Sequence, residues 1–175
     1  DDCIGFAVAF YACLIAGAIA VPTPPTKTYR KIQRDCQAAA IVTTWTLYVT
    51  LFDCCCTTTF IVEYPFQCFS LNPREHDPED IAFLQYTSGS TSSPRGVVVS
   101  HRALEANVNW VVNDYLGDTT DLVSVTWVPF FHDYGLTAIL NCHAVGGTFH
   151  YISPMRFMKD PLHWLRMMTL VKSTH

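Results

Sequence analysis

Short apolar runs rich in β-branched residues alternate along this chain with longer segments of helical spacing. Strands are predicted at 39–43, 57–62, 81–84, 97–99, 122–126 and 148–152. Helices are predicted at 26–37, 45–53, 101–116, 135–145 and 161–171, and 71–80 is predicted to be an exposed connector. Strands that alternate with helices predict an α/β fold with a mainly parallel sheet and flanking helices. In such sheets, ligands bind beyond the carboxyl ends of the strands.

The first segment of the chain needs a separate argument because residues 3–21 contain no charge. A stretch of that length is a candidate for a membrane span. The preceding Asp1 and Asp2 do not form the basic flank of a signal peptide, and Gly17 interrupts the apolar run. We therefore expect a buried helix over 4–16, Gly17 as its cap, a short strand over 18–22, and no membrane span.

Composition limits the class of protein. The 175 residues are enough for one domain with a sizeable core, and 50% of them are hydrophobic while 15% are charged. A net charge of -4 argues against a nucleic-acid partner. None of the eight cysteines forms a C-x-x-C pair, which favours a reducing, cytoplasmic compartment. The chain starts without Met and ends in what reads as a strand entry, so we expect a fragment of a longer protein.

A polar loop lies between two of the predicted strands. Six of the seven residues from Thr87 to Ser93 carry a hydroxyl, and the seventh is Gly89. Many donors in a small volume, followed by the charge of Arg95, suggest a phosphate site. An ordinary turn or linker is the alternative. The Walker pattern does not fit, because six residues separate Gly89 from Gly96 and no Lys follows.

A second stretch that could carry chemistry, "TWVPFFHDYGLTAIL", runs from Thr126 to Leu140. His132 and Asp133 stand just before the predicted helix. One interpretation is a satisfied polar pair at a helix N-terminus, where the dipole favours Asp. A metal pair is a weaker interpretation, because adjacent residues rarely chelate one ion.

Both stretches resemble one superfamily. The segment Tyr86–Thr91 followed by Pro94–Val97 resembles the phosphate-loop signature of the adenylate-forming, acyl-activating enzymes. That superfamily includes acyl-CoA synthetases, fatty acyl-AMP ligases and the adenylation domains of peptide synthetases. The sequences of 127–136 and 153–168 are most similar to those of fatty acyl-AMP ligases. The chain departs from the signature at Ser92 and Arg95, where members commonly have Gly and Lys, and the resemblance weakens from 44 to 74.

The resemblance implies both an architecture and an activity. Residues 1–175 would be part of the large N-terminal AMP-binding domain, without the mobile C-terminal domain. The full-length protein would use ATP and magnesium to activate a fatty acid to an acyl-adenylate, with release of pyrophosphate. An acyl carrier protein, or a polyketide or peptide synthase module, would be a partner. A long-chain acyl-CoA synthetase and a non-catalytic AMP-binding-like domain are the alternatives.

The resemblance also implies roles for individual residues. His132 would be catalytic, orienting the carboxylate or the adenylate. The phosphates would be bound by Thr87, Ser88, Gly89, Ser90, Thr91, Arg95 and Gly96. The acyl chain would contact Phe130, Phe131, Asp133 and Gly135. No metal ligand is assigned, and the adenine pocket, the acidic metal ligand and the catalytic Lys are expected beyond His175.

Overall fold

The computed structural model describes residues 3–24, 29–43, 58–61, 75–87, 95–115 and 121–174; for 58–61 and Tyr115 it describes the backbone alone. The chain divides into two compact units. The first consists of Asp2–Asp77 and Ile81–Val98. The second contains Pro78–Asp80 and Val99–His175, with Asp1 assigned to it as well.

The first unit opens with helix α1, Cys3–Ala16, as the sequence predicts. It ends at Gly17, whose φ of 70° and bond from Gly17 N–H to Leu14 O (3.2 Å) cap the helix. Phe10 is buried against Phe83 with the ring centroids 5.7 Å apart, whereas Ile4 is 58% exposed. The prediction of a buried helix is therefore correct for one face only. Among the described residues, no helix is both long and apolar enough to cross a membrane.

The strand predicted over 18–22 is reduced to a single bridge. Ala20 pairs in parallel with Phe83, through a bond from Leu84 N–H to Ala20 O of 2.9 Å. The remaining residues of that range lie outside strands, so the prediction of a strand is wrong in extent. Pro22 explains part of the difference, because it has no N–H to donate to a ladder.

Helix α2 and two parallel strands follow. Helix α2 runs Tyr29–Asp35 and buries Ile32; it ends two residues before the predicted end at Gln37, and the predicted start at 26–28 lies outside the described residues. Strands β1, Ala40–Thr43, and β2, Thr58–Ile61, pair in parallel, with Ala40 opposite Thr58. Both strands were predicted. The helix predicted over 45–53 lies outside the described residues.

Strands β3, Ile81–Thr87, and β4, Arg95–Ser100, form a two-stranded sheet. Both are longer than the apolar runs that predicted them. The connector before β3 is exposed from Glu75 to Asp80 except for the half-buried His76, which agrees with the prediction for that part.

The second unit contains helix α3, His101–Trp110, which Ser100 caps by accepting from Ala103 N–H at 3.2 Å. A π-helical turn, Val111–Tyr115, continues it, so the predicted helix 101–116 is confirmed but changes its pitch. Strand β5, Val123–Thr126, helix α4, Asp133–Ala144, and strand β6, Thr148–Tyr151, follow. Strands β5 and β6 pair in parallel with Val123 opposite Thr148.

The α4 face that packs on these strands forms the core of the second unit. Its buried apolar residues are Leu136, Ile139, Leu140 and Cys142, together with Leu122, Val125 and Ile152 from the strand segments. The helix begins at Asp133, two residues before the predicted start at Gly135, because His132 and not Gly135 is its N-cap. The parallel pairs of both units confirm the predicted α/β class.

Two helices close the described chain. Helix α5, Pro154–Lys159, was missed, although Ser153 caps it and Pro154 opens it. Helix α6, Leu162–Leu170, matches the prediction. The indole N–H of Trp164 donates to Val125 O at 3.0 Å, which ties α6 to β5.

Candidate functional site

The polar loop begins and ends on paired strands. Thr87 is the last residue of β3 and Arg95 is the first residue of β4, and both are exposed. The predicted phosphate-binding residues Ser88, Gly89, Ser90 and Thr91 lie outside the described residues. We call residues 85–87 and 95–97 the two stems of the loop. Because Tyr86 lies against Gly96, the stems bring Thr87, Arg95 and Gly96 to the same end of this strand pair.

Tyr86 packs across the base of the loop. A Cβ built on Gly96 would lie 3.0 Å from Cζ of Tyr86 and 3.3 Å from its hydroxyl oxygen. Gly96 therefore lets the Tyr86 ring approach the β4 backbone, which a larger residue would push away. The assignment of Gly96 to phosphate binding stays a prediction, and the structure adds this packing role.

The Tyr86 hydroxyl donates a hydrogen bond of 2.5 Å to Oδ2 of Asp35, the last residue of α2. Burial first, and the bond to Asp35 second, raise the pKa of Tyr86 well above its ordinary value. The hydroxyl therefore remains a donor throughout the neutral pH range. Neither residue was predicted as part of the site. Tyr86 stands inside the quoted motif, but no sequence signal connects it with Asp35.

The aromatic segment after β5 is held by one hydrogen bond to a side chain and one within the backbone. Val128 N–H donates to Oγ1 of Thr126 at 3.2 Å, and His132 N–H donates to Pro129 O at 3.0 Å. Phe130 is buried, with its ring 4.6 Å from that of Tyr151 between centroids. Phe131 is half-buried. Packing of Phe130 on β6 thus fixes the turn that presents His132.

Gly135 sits where the first turn of α4 meets that segment. A Cβ at Gly135 would lie 2.3 Å from Pro129 O and 2.7 Å from Val128 O. Contacts that short do not occur, so only glycine fits without displacing the backbone. The Pro129 oxygen involved also accepts the His132 N–H. Gly135 therefore permits the geometry that positions His132.

His132 and Asp133 form a local polar cluster at the N-terminus of α4. Nδ1 of His132 lies 2.6 Å from Oδ1 of Asp133 and 3.3 Å from Tyr134 N. Asp133 Oδ1 also accepts from Tyr134 N–H at 2.6 Å. One nitrogen cannot donate and accept in the same state, and the shorter contact favours Nδ1–H donating to the carboxylate. In the neutral ring, Nε2 is then the acceptor.

His132 and Asp133 thus satisfy each other as a polar pair and remain accessible to solvent. The side chains of His132 and Asp133 are 59% and 65% exposed. Asp133 orients the imidazole and supports the helix N-terminus, where a negative charge is favoured. Within the described ranges, no group of three or more His, Cys, Asp or Glu residues could hold a metal ion.

The chain is an α/β protein in which a segment rich in hydroxyl side chains joins two paired strands and an accessible histidine stands at the start of a helix, features that fit a nucleotide-binding α/β domain. A family model described as "AMP-binding enzyme" matches residues 1–175, and the chain belongs to this family. The predicted superfamily is thereby confirmed.

Two curated relatives illustrate the similarity. The chain is 32% identical to the medium-chain fatty acid–acyl-carrier-protein ligase JamA of Moorena producens, over 97% of this chain and 32% of JamA. It is 42% identical to a long-chain fatty acid–AMP ligase of Mycolicibacterium smegmatis, over 55% of this chain and 15% of that protein. The chain therefore spans about a third of JamA and aligns with a smaller share of the second relative.

Solved structures agree with this grouping. The crystal structure of a fatty acyl-adenylate ligase from L. pneumophila, in complex with acyl adenylate and pyrophosphate, superposes with a TM-score of 0.83. The match has 29% identity and covers 97% of this chain and 32% of that one. An adenylation domain of a keto acid-selecting peptide synthetase module shares the fold, with a TM-score of 0.78 at 22% identity.

Proposed function

We propose that the full-length protein activates a fatty acid by forming an acyl-adenylate from ATP. The similarity to the L. pneumophila fatty acyl-adenylate ligase, at a TM-score of 0.83 over 97% of the chain, is the observation that carries the proposal. Two sequence motifs support it: the phosphate-loop motif resembles the signature of the adenylate-forming enzymes, and the His132–Asp133 stretch is most similar to fatty acyl-AMP ligases. A cytoplasmic location remains a prediction from the cysteine content.

The reaction joins two anions. A carboxylate oxygen attacks the α-phosphorus of ATP, a new O–P bond forms, and the bond between the α-phosphorus and the bridging oxygen breaks. Pyrophosphate leaves with that electron pair. The enzyme must hold both reactants in line and balance their negative charge, which accounts for most of the catalysis expected here.

The chemistry of the two stems fits the phosphates of ATP. Thr87 offers a hydroxyl, and Arg95 offers a planar charged group that matches phosphate oxygens. Both are exposed at one end of the β3–β4 pair. The loop residues Ser88, Gly89, Ser90 and Thr91 would supply further donors. Magnesium would reduce the charge on the phosphates when bound, but the described residues do not include a carboxylate cluster for it.

His132 would orient the fatty carboxylate or the adenylate. Its Nε2 is available for that contact because Asp133 engages Nδ1. Phe131 and the backbone at Gly135 would edge the acyl chain, with Phe130 and Asp133 supporting them. In this scheme Asp133 acts on the substrate through His132, since its carboxylate already contacts the imidazole and Tyr134 N–H.

Two molecules are candidates for the acceptor of the acyl group. An acyl carrier protein is favoured because JamA, similar over 97% of this chain, is named as a ligase to acyl carrier protein. Coenzyme A is the second candidate, because another relative, at 41% identity over 53% of this chain, is named as a putative fatty-acid–CoA ligase.

Product analysis distinguishes these candidates. The full-length protein is incubated with ATP, magnesium, a medium- or long-chain fatty acid and coenzyme A, and the products are identified by mass spectrometry. We expect acyl-AMP and pyrophosphate, with little acyl-CoA, and transfer when a carrier protein is added. Acyl-CoA as the main product would favour the second candidate, and no acyl-AMP at all would refute the proposal.

A further inference from the structure

One aromatic ring connects the two stems of the phosphate loop. Tyr86 directly precedes Thr87 at the end of β3, and Gly96 directly follows Arg95 at the start of β4. The distances from a Cβ on Gly96 to Tyr86, 3.0 Å to Cζ and 3.3 Å to the hydroxyl oxygen, show that the ring lies over Gly96. Tyr86 thus packs against the backbone on which the loop ends, next to the residue on which it begins.

The hydroxyl of this ring is attached to a third element. It donates to Oδ2 of Asp35, 51 residues earlier in the chain. The end of α2 that carries Asp35 is itself fixed, because Cys36 N–H donates to Ile32 O at 2.9 Å and Ala38 N–H donates to Gln33 O at 3.1 Å. Ile32 is only 3% exposed and anchors the helix. The Tyr86 ring is therefore held from both sides.

The energetics of an isolated helix do not explain why an aspartate, Asp35, stands at the C-terminal end of α2. A negative charge in the last turn of a helix is opposed by the helix dipole, which favours cations there. The hydrogen bond from Tyr86 gives the carboxylate a partner that offsets this disadvantage. Since the raised pKa of Tyr86 keeps its hydroxyl protonated, the bond persists through the working pH range.

We propose that Tyr86 and Asp35 form a positioning pair that holds the two stems of the phosphate loop at the separation needed for ATP. The inference rests on the proposed function. Neither residue needs to touch substrate, because both act through the backbone that carries Thr87 and Arg95.

The first test measures the stems without any substrate. Hydrogen–deuterium exchange of the amides of 96–98 is followed in the full-length protein and in Tyr86→Phe, Asp35→Ala, the double variant and Asp35→Asn. Tyr86→Phe and Asp35→Ala should each accelerate exchange about tenfold, and the double variant no further, because both remove the same bond. Asp35→Asn keeps an acceptor oxygen and should stay within about twofold of the wild type.

The second test separates positioning from general stabilisation. Tyr86→Phe should raise the KM for ATP about tenfold, leave the KM for the fatty acid unchanged and alter kcat little. A purely structural loss would reduce the active fraction and the melting temperature without that selective change in KM. Tyr29→Phe is the matched control, because it removes a tyrosine hydroxyl from α2 and should leave both exchange and KM unchanged.

Three results would overturn the inference: unchanged exchange in both Tyr86→Phe and Asp35→Ala, additive effects in the double variant, or faster exchange with an unaltered KM for ATP. Failure of the proposed function gives a different pattern. The wild type would then form no acyl-AMP with any fatty acid, while the exchange measurement would still report whether the pair holds the stems.

Discussion

Replacement of Gly135 by alanine tests how His132 is positioned. The added Cβ would lie 2.3 Å from Pro129 O, where an ordinary contact needs more than 3 Å. The first turn of α4 or the Val128–Pro129 backbone must therefore move by roughly 1 Å. The oxygen that must move is the one that accepts His132 N–H at 3.0 Å, so this hydrogen bond is strained or lost.

The expected loss of stability has two contributions, the close contact and the affected hydrogen bond. Overpacking of a close contact typically costs about 1–3 kcal/mol. Loss of one backbone hydrogen bond adds about 0.5–1.5 kcal/mol. We expect Gly135→Ala to destabilise the protein by about 2–4 kcal/mol. Because His132 shifts with the turn, acyl-adenylate formation should fall by up to about 100-fold, as for a misplacement of about 1 Å in other enzymes.

The matched control is Gly146→Ala. Gly146 has a φ of 67° and open space around its Cβ position, so alanine there costs only backbone strain, about 1 kcal/mol. Thermal unfolding and fatty-acid-dependent turnover are measured for both variants in the full-length protein. Equal losses of stability in the two variants, or full activity in Gly135→Ala, would refute the argument that Gly135 positions His132.

Three further predictions concern charge, pH and the extent of the chain. Arg95→Ala should raise the KM for ATP about 10- to 100-fold, as expected for loss of a charge-assisted contact, while Arg95→Lys should retain most of the affinity. Steady-state kinetics measure both variants, and an unchanged KM in Arg95→Ala would show that Arg95 is not part of the site. Partial burial lowers the pKa of His143 below its ordinary 6.5, although the residue remains exposed, so the unfolded state takes up that proton first and the free energy of unfolding should fall slightly as the pH drops below about 6.5. Urea unfolding of His143→Gln should show a weaker pH dependence than the wild type, and identical curves would contradict this. Because the chain spans 32% of JamA, the 175 residues alone should not form acyl-AMP, and turnover by this piece would show that the parts assigned elsewhere are dispensable.

The strands of this chain were predictable because their signal is local. β-branched runs between polar breaks located β1, β2, β5 and β6 to within two residues. Their parallel pairing was expected from the alternation of predicted strands with predicted helices. The strand expected over 18–22 failed because the apolar run there meets Pro22, and a single bridge at Ala20 was all that formed.

Helix ends were less predictable because caps compete. The predicted start of α4 was Gly135, but the helix begins two residues earlier, at Asp133, with His132 at the N-cap position, and Gly135 serves a packing purpose inside the first turn. Helix α5 was missed even though Ser153 and Pro154 are a recognisable start signal. Its six residues are too few to show a clear helical period.

The candidate site was predictable in its motifs but not in its supporting contacts. Short sequence motifs were enough to predict Thr87, Arg95 and His132 as site residues. The Tyr86–Asp35 bond joins residues 51 positions apart, and the Gly135 contact depends on how closely two backbone segments approach. Such contacts are set by tertiary packing, which no short-range pattern encodes.

The central claim, formation of an acyl-adenylate from ATP, is tested most directly by ATP–pyrophosphate exchange. Radiolabelled pyrophosphate is incubated with ATP, magnesium and the full-length protein, with and without a series of fatty acids of different length. We expect label to enter ATP only when a fatty acid is present, because exchange requires reversible formation of acyl-AMP. Exchange that is absent with every fatty acid, or equally fast without one, would contradict the account.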